Sequence, residues 1–94
     1  MTSETETQQQ HEVKRQILPP WRVLLHDDDV NDMLHVVKAL LYSVPSMSVK
    51  RAKEVMLEAH LQGVAQVIVC PFEHAEMYCE RLQQYGLVST IEAV

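Results

Sequence analysis

Residues 21–44 read WRVLLHDDDVNDMLHVVKALLYSV, and three rhythms follow one another within them. Trp21–His26 is rich in β-formers and stops at a polar cluster, which predicts a strand. Asp27–Asp32, DDDVND, is the most polar stretch of the folded part and has to be a loop or a helix start. Asp and Asn are strong N-caps, and a carboxylate near a helix N-terminus complements its dipole. Met33, Val36, Val37, Leu40, Leu41 and Val44 then recur at helical spacing and define one apolar face. Pro45 ends that helix.

Downstream, Ser48 is a good N-cap for a second helix. Its apolar stripe is Val49, Ala52, Val55, Met56 and Ala59, and Gly63 is a natural C-cap. Val64–Cys70, VAQVIVC, is a β-branched run that reads as a buried strand. Pro71 starts a third helix over about residues 73–85, closed by Gly86. Residues 87–94 alternate well enough to form the last strand. The order is β-α-α-β-α-β, and three strands with helices on one face give an α+β sandwich. Upstream, residues 1–17 are polar and low in complexity, which predicts a disordered tail. Pro19–Pro20 fixes an extended lead into the fold. The expected organisation is a tail over 1–18 and one domain over 19–94.

Composition narrows the function classes. The chain has 94 residues, room for one domain with a modest core, so a shallow pocket or docking face is more natural than a deep active site. Thirteen acidic against eight basic residues give a net charge of -5 and no basic patch. Nucleic acid and anionic membrane surfaces are disfavoured, and cationic partners are favoured. No apolar run approaches the ~20 residues that cross a bilayer. Cys70 and Cys79 form no CxxC pair, so two reduced thiols in a cytoplasmic-type compartment are expected.

Asp27, Asp28, Asp29, Asn31 and Asp32 invite a metal reading. An EF-hand loop starting at Asp27 needs Gly where Asp32 stands and Glu where Lys38 stands, so the pattern fails twice. Two readings remain: a helix-capping acidic turn, or a site for a cation on a partner, such as a peptide α-amino group, which carboxylates bind with charge assistance. His60 follows the second apolar stripe; a functional role there needs a carboxylate brought close by the fold. His26, beside three aspartates, is the one other histidine with a hint of a metal setting. No nucleophile elbow or phosphate loop is present. Cys79 falls at a core-facing spacing. Met33 either fills the core or edges a pocket beside the acidic loop. No catalytic residue, metal or cofactor is implied.

The ordering Pro-Pro, WRVLLHDDDVNDMLHVV, AKEVMLEAHLQGVAQVIV, HAE and a terminal STIE resembles the ClpS adaptor family over about residues 19–93. It looks most like the branch found in photosynthetic bacteria and plastids. The resemblance implies a three-stranded antiparallel sheet packed with three helices. It also implies an adaptor that delivers proteins bearing certain N-terminal residues, N-degrons, to a Clp-type AAA+ chaperone of the ClpA or ClpC class, in the cytoplasm or a plastid stroma. Residues 1–18 match by position the tail that engages the chaperone.

The resemblance also assigns residues. Asp28 and Asp29 match the two acids of the family's Asn-Asp-Asp turn, and Asp28 is expected to contact the substrate's α-amino group. Met33 matches the methionine that gates the side-chain pocket. Met56 and His60 fall in the family's Met-x-x-x-His, with His60 on the α-amino group. Val36, Ala59 and Leu87 are expected to line the apolar pocket, and Glu73 and Glu76 to meet the chaperone. Three positions depart from the family. Asp27 replaces the leading Asn, offers acceptors only, and is expected to raise one carboxyl pKa by crowding. Asn31 replaces a Thr beside the pocket. Tyr78 replaces a lysine on the chaperone face. An altered or narrower residue preference follows, with Leu and Phe the expected ligands; the alternative is a chaperone regulator with a disabled pocket.

Overall fold

The computed structural model describes residues 19–94. The tail expected over 1–18, with its chaperone role, lies outside the described residues. The elements are β1 (Trp21–His26), α1 (Met33–Ser43), α2 (Val49–Gln62), β2 (Val64–Cys70), α3 (Phe72–Gln84) and β3 (Val88–Ala93). The order is β-α-α-β-α-β, as the sequence patterns predict.

β1 is central in a three-stranded sheet of order β2-β1-β3, antiparallel on both sides. Trp21 lies opposite Cys70 and Ala93, and His26 opposite Val64 and Val88. A bulge between Val23 and Leu24 breaks the register with β2. Val23 and Leu25 of β1 are buried while Arg22, Leu24 and His26 are partly open. The helices therefore cover one face of the sheet. Leu40 of α1, Ala52 and Val55 of α2, and Ala75 and Leu82 of α3 close the core against it with no exposed surface. Cys79 is buried there as a free thiol.

Caps set the helix ends. Asp32 accepts from His35 N at 2.8 Å and starts α1, and Ser48 Oγ accepts from Arg51 N at 3.0 Å and starts α2. Gly63 ends α2 with φ 88°, a left-handed conformation that costs other residues strain.

Three expectations need correction. β2 alternates rather than being buried throughout: Val64 and Val69 are exposed, because β2 is an edge strand of a sheet covered on one face. Val49 is exposed rather than part of the α2 stripe, since it opens the helix ahead of the turn that meets the core. Leu87 precedes β3 instead of starting it. Among the described residues no helix is long and apolar enough to cross a membrane.

Candidate functional site

The Asp27–Asp32 loop hangs between two glycine turns. At its start, Asp27 N donates to Gly63 O at 3.0 Å. At its far side, Asn31 Nδ2 donates to Gly86 O at 2.9 Å. Gly86 has φ 83° and closes α3, as Gly63 closes α2. The loop is thus pinned to the C-terminal ends of both helices.

This pinning brings distant residues together. Because Asp27 is tied to the end of α2, its carboxylate comes within 3.7 Å of His60 Nδ1. The carboxylate that a functional His60 requires is therefore supplied by Asp27. Asp28 turns inward and caps the loop: its Oδ1 accepts from Val30 N at 2.8 Å and Asn31 N at 2.7 Å. Asn31 Nδ2 adds bonds to Oδ1 at 3.2 Å and Oδ2 at 3.0 Å.

Electrostatics follow from these contacts. The Asn31 backbone N–H, then its side-chain amide, hold the Asp28 carboxyl below its usual range against partial desolvation, with help from Val30 N–H and the nearby His35. The expected rise from carboxylate crowding is not what Asp28 shows. Direct hydrogen bonds to the charged form outweigh the cost of its partial desolvation.

Beneath the loop is an open cavity of about 370 Å³. Its polar side carries Asp27, Asp28, Asn31 and His60; its apolar side carries Val36, Met56 and Ala59, with Met33 beside the loop. Met33 is 45 % exposed, so it edges the cavity rather than filling the core. Ala59 is buried, and Val36 and Met56 are half-buried against the core. The arrangement sets acceptors for a cation directly beside an apolar surface.

Leu87 is not among the residues lining the cavity. It is buried in the core, its N–H bonded to Leu82 O at 3.1 Å, which turns it under the end of α3. Sequence reasoning missed Leu25 as a lining residue; the alternation of β1 places it on the face toward the helices and could have found it. Asp29 and Asp32 of the acidic cluster stand on the cavity's rim, as does His26, the histidine with a hint of a metal setting. His26 Nε2 instead pairs with Thr90 Oγ1 at 2.7 Å. No three His, Cys, Asp or Glu side chains gather as metal ligands among the described residues.

Glu73 and Glu76 stand exposed at the start of α3, away from this cavity. Tyr78 on the same helix stacks on His74 at 6.4 Å and lies under Arg81 at 5.9 Å. At this end of the sheet, Trp21 and Phe72 meet edge to face at 4.8 Å. Together with Pro20 and Val69 they line a second, apolar cavity of about 470 Å³. Burial pushes the Cys70 thiol up there.

Comparisons with known proteins bear on the family and the fold. Residues 16–90 match the family model described as ATP-dependent Clp protease adaptor protein ClpS. The chain is 47 % identical to the ATP-dependent Clp protease adapter protein ClpS of Synechococcus elongatus, over 98 % of this chain and 97 % of that protein. It is 44 % identical to the chloroplastic adapter protein CLPS1 of Arabidopsis thaliana, over 83 % of this chain and 49 % of that one. Among solved structures, ClpS2 of Agrobacterium tumefaciens bound to L-phenylalaninamide superposes with a TM-score of 0.77 at 28 % identity. That match covers 82 % of this chain and 99 % of that one.

Proposed function

Since the chain belongs to the ClpS family of Clp protease adaptors, we propose that its 370 Å³ cavity reads the first residue of substrate proteins. The observation that carries this reading is the juxtaposition of Asp27, Asp28 and His60 with the apolar wall of Val36, Met56 and Ala59. An N-terminal residue is the one residue that offers a free ammonium beside its side chain. With a pKa of about 7.7–8.0, that ammonium is largely charged at neutral pH.

In this reading Asp28 and Asp27 accept from the ammonium. Asp28 is ready to do so because it stays ionised and keeps acceptor capacity on Oδ2. His60 accepts through whichever ring nitrogen lacks a proton. The substrate side chain lies against Val36, Met56 and Ala59, with Met33 over the mouth and Asn31 holding the loop. Burying a Leu or Phe side chain contributes about 1.5–3 kcal/mol. Each charge-assisted hydrogen bond adds about 1.5–3 kcal/mol. Less the cost of association, the sum supports micromolar or tighter binding. No covalent bond changes in the adaptor.

Delivery needs a second surface. Glu73 and Glu76 at the start of α3 provide it, facing a Clp-type AAA+ chaperone of the ClpA or ClpC class. They follow Cys70, which pairs with Trp21 at one end of β1, while the peptide cavity lies at the His26 end. Six residues of strand separate the two ends by about 17 Å, so one adaptor holds substrate and chaperone together. The compartment is the cytoplasm or a plastid stroma.

Fluorescence anisotropy of peptides that differ only in residue one, with Leu, Phe, Tyr, Trp, Val and acetylated Leu, tests the reading. Selective binding of free Leu or Phe, lost on acetylation and in Asp28→Ala, supports it. Absence of binding to every free N-terminus defeats it and leaves a chaperone regulator with a disabled pocket.

A further inference from the structure

The loop that carries the ammonium acceptors has no strand or helix ladder to hold it, and a reader of one charged group has to be fixed to discriminate. Two side chains supply the fixing. Asn31 Nδ2 carries two hydrogens; they reach the Asp28 carboxylate at 3.0 Å and Gly86 O at 2.9 Å. His35, in the first turn of α1, places Nε2 2.6 Å from Tyr85 O. A carbonyl only accepts, so this nitrogen carries its proton.

Tyr85 and Gly86 follow the end of α3, where C-terminal carbonyls lack helical partners. Their own N–H groups turn back to Leu82 O and Gln83 O, leaving both carbonyls for the loop. From these contacts we infer that Asn31 and His35 are positioning residues, clamping the Asp27–Asp32 loop to the Tyr85–Gly86 turn so that Asp28 faces a substrate ammonium. The inference rests on the proposed amino-terminus reading of the cavity. It also gives the Asn31 departure a purpose: a threonine hydroxyl, with one hydrogen, cannot bond Asp28 and Gly86 O at once.

The clamp holds through a change in His35 protonation, since both the Nε2–H tautomer and the imidazolium donate to Tyr85 O. Charged or titratable groups that line the cavity with Asp28 are Asp27, Asp29 and Asp32 from the loop, His26 from β1 and His60 from α2, and His35 of α1 lies near enough to act on its charge.

Two readouts on the full chain test the clamp. Without peptide, carbon-13 NMR follows the Asp28 carboxyl through its titration. Asn31→Ala is expected to move the midpoint upward, because a donor to the ionised form is lost. With peptide, anisotropy compares a Leu-first peptide with its des-amino analogue. The affinity ratio is expected to fall about tenfold in Asn31→Ala, to fall in His35→Ala, and to fall less in Asn31→Thr, which keeps one donor. In an Asp28→Ala background, Asn31→Ala is expected to cause no further fall. An unmoved Asp28 titration with an unchanged ratio, or an equal fall without Asp28, overturns the clamp. A wild-type chain that ignores the free amine defeats the cavity reading instead, and the ligand-free titration still decides the clamp.

Discussion

Asp28 is both a structural cap and the proposed ammonium acceptor, and its two roles pull the same way. Four hydrogen-bond contacts of 2.7–3.2 Å from Val30 and Asn31 favour its charged form. The folded chain therefore holds this proton less readily than the unfolded chain, whose value is near 3.8. A depressed folded pKa stabilises above the unfolded value, and that stability is lost as pH falls through the folded one. Thermal unfolding between about pH 5 and about pH 3 should thus cost the wild type more than it costs Asp28→Asn. Equal losses would show that the contacts do not favour the ionised form. His60 behaves differently, because it accepts only while one nitrogen is free. Its part in binding is read by an anisotropy titration of peptide. His60→Ala at neutral pH should weaken a Leu-first peptide by about 1.5–3 kcal/mol, measured by the same titration.

At the scale of elements, the two glycine turns decide where the site forms. Gly63 has open space around a would-be Cβ, so its requirement is the φ of 88° alone. Gly63→Ala should destabilise the fold by about 1 kcal/mol in denaturant unfolding. It should also loosen Asp27, which hangs from the Gly63 carbonyl. Elements of this kind were legible in the sequence. β1 and β2 carry the expected bounds, and Ser48 and Gly63 cap α2 as their chemistry predicts. What was not legible came from tertiary context. The exposed face of β2 depends on what covers the sheet, and Leu87 was diverted into the core by the turn that ends α3. Composition alone cannot place Asp27 beside His60, 33 positions apart in sequence; that contact requires the Gly63 carbonyl. The resemblance named most of the cavity residues, whereas the bonds of Asn31 and His35 to the Tyr85–Gly86 turn had no sequence signal.

On the scale of the whole molecule, the sheet separates two surfaces of different character. The His26 end carries the acidic, apolar-walled cavity, and the Trp21 end carries an apolar cavity beside the acidic start of α3. Glu73→Lys with Glu76→Lys should abolish chaperone association in a pull-down while leaving peptide anisotropy unchanged. Joint loss of both would show that the two surfaces are not independent. The most direct test of the central claim is an amide NMR titration with leucinamide or phenylalaninamide against the N-acetylated compound. Shifts confined to residues 25–36 and 56–60 are expected with the free amine, and none with the acetylated one. Shifts elsewhere, or equal shifts with both compounds, would contradict an amino-terminus reader in this cavity.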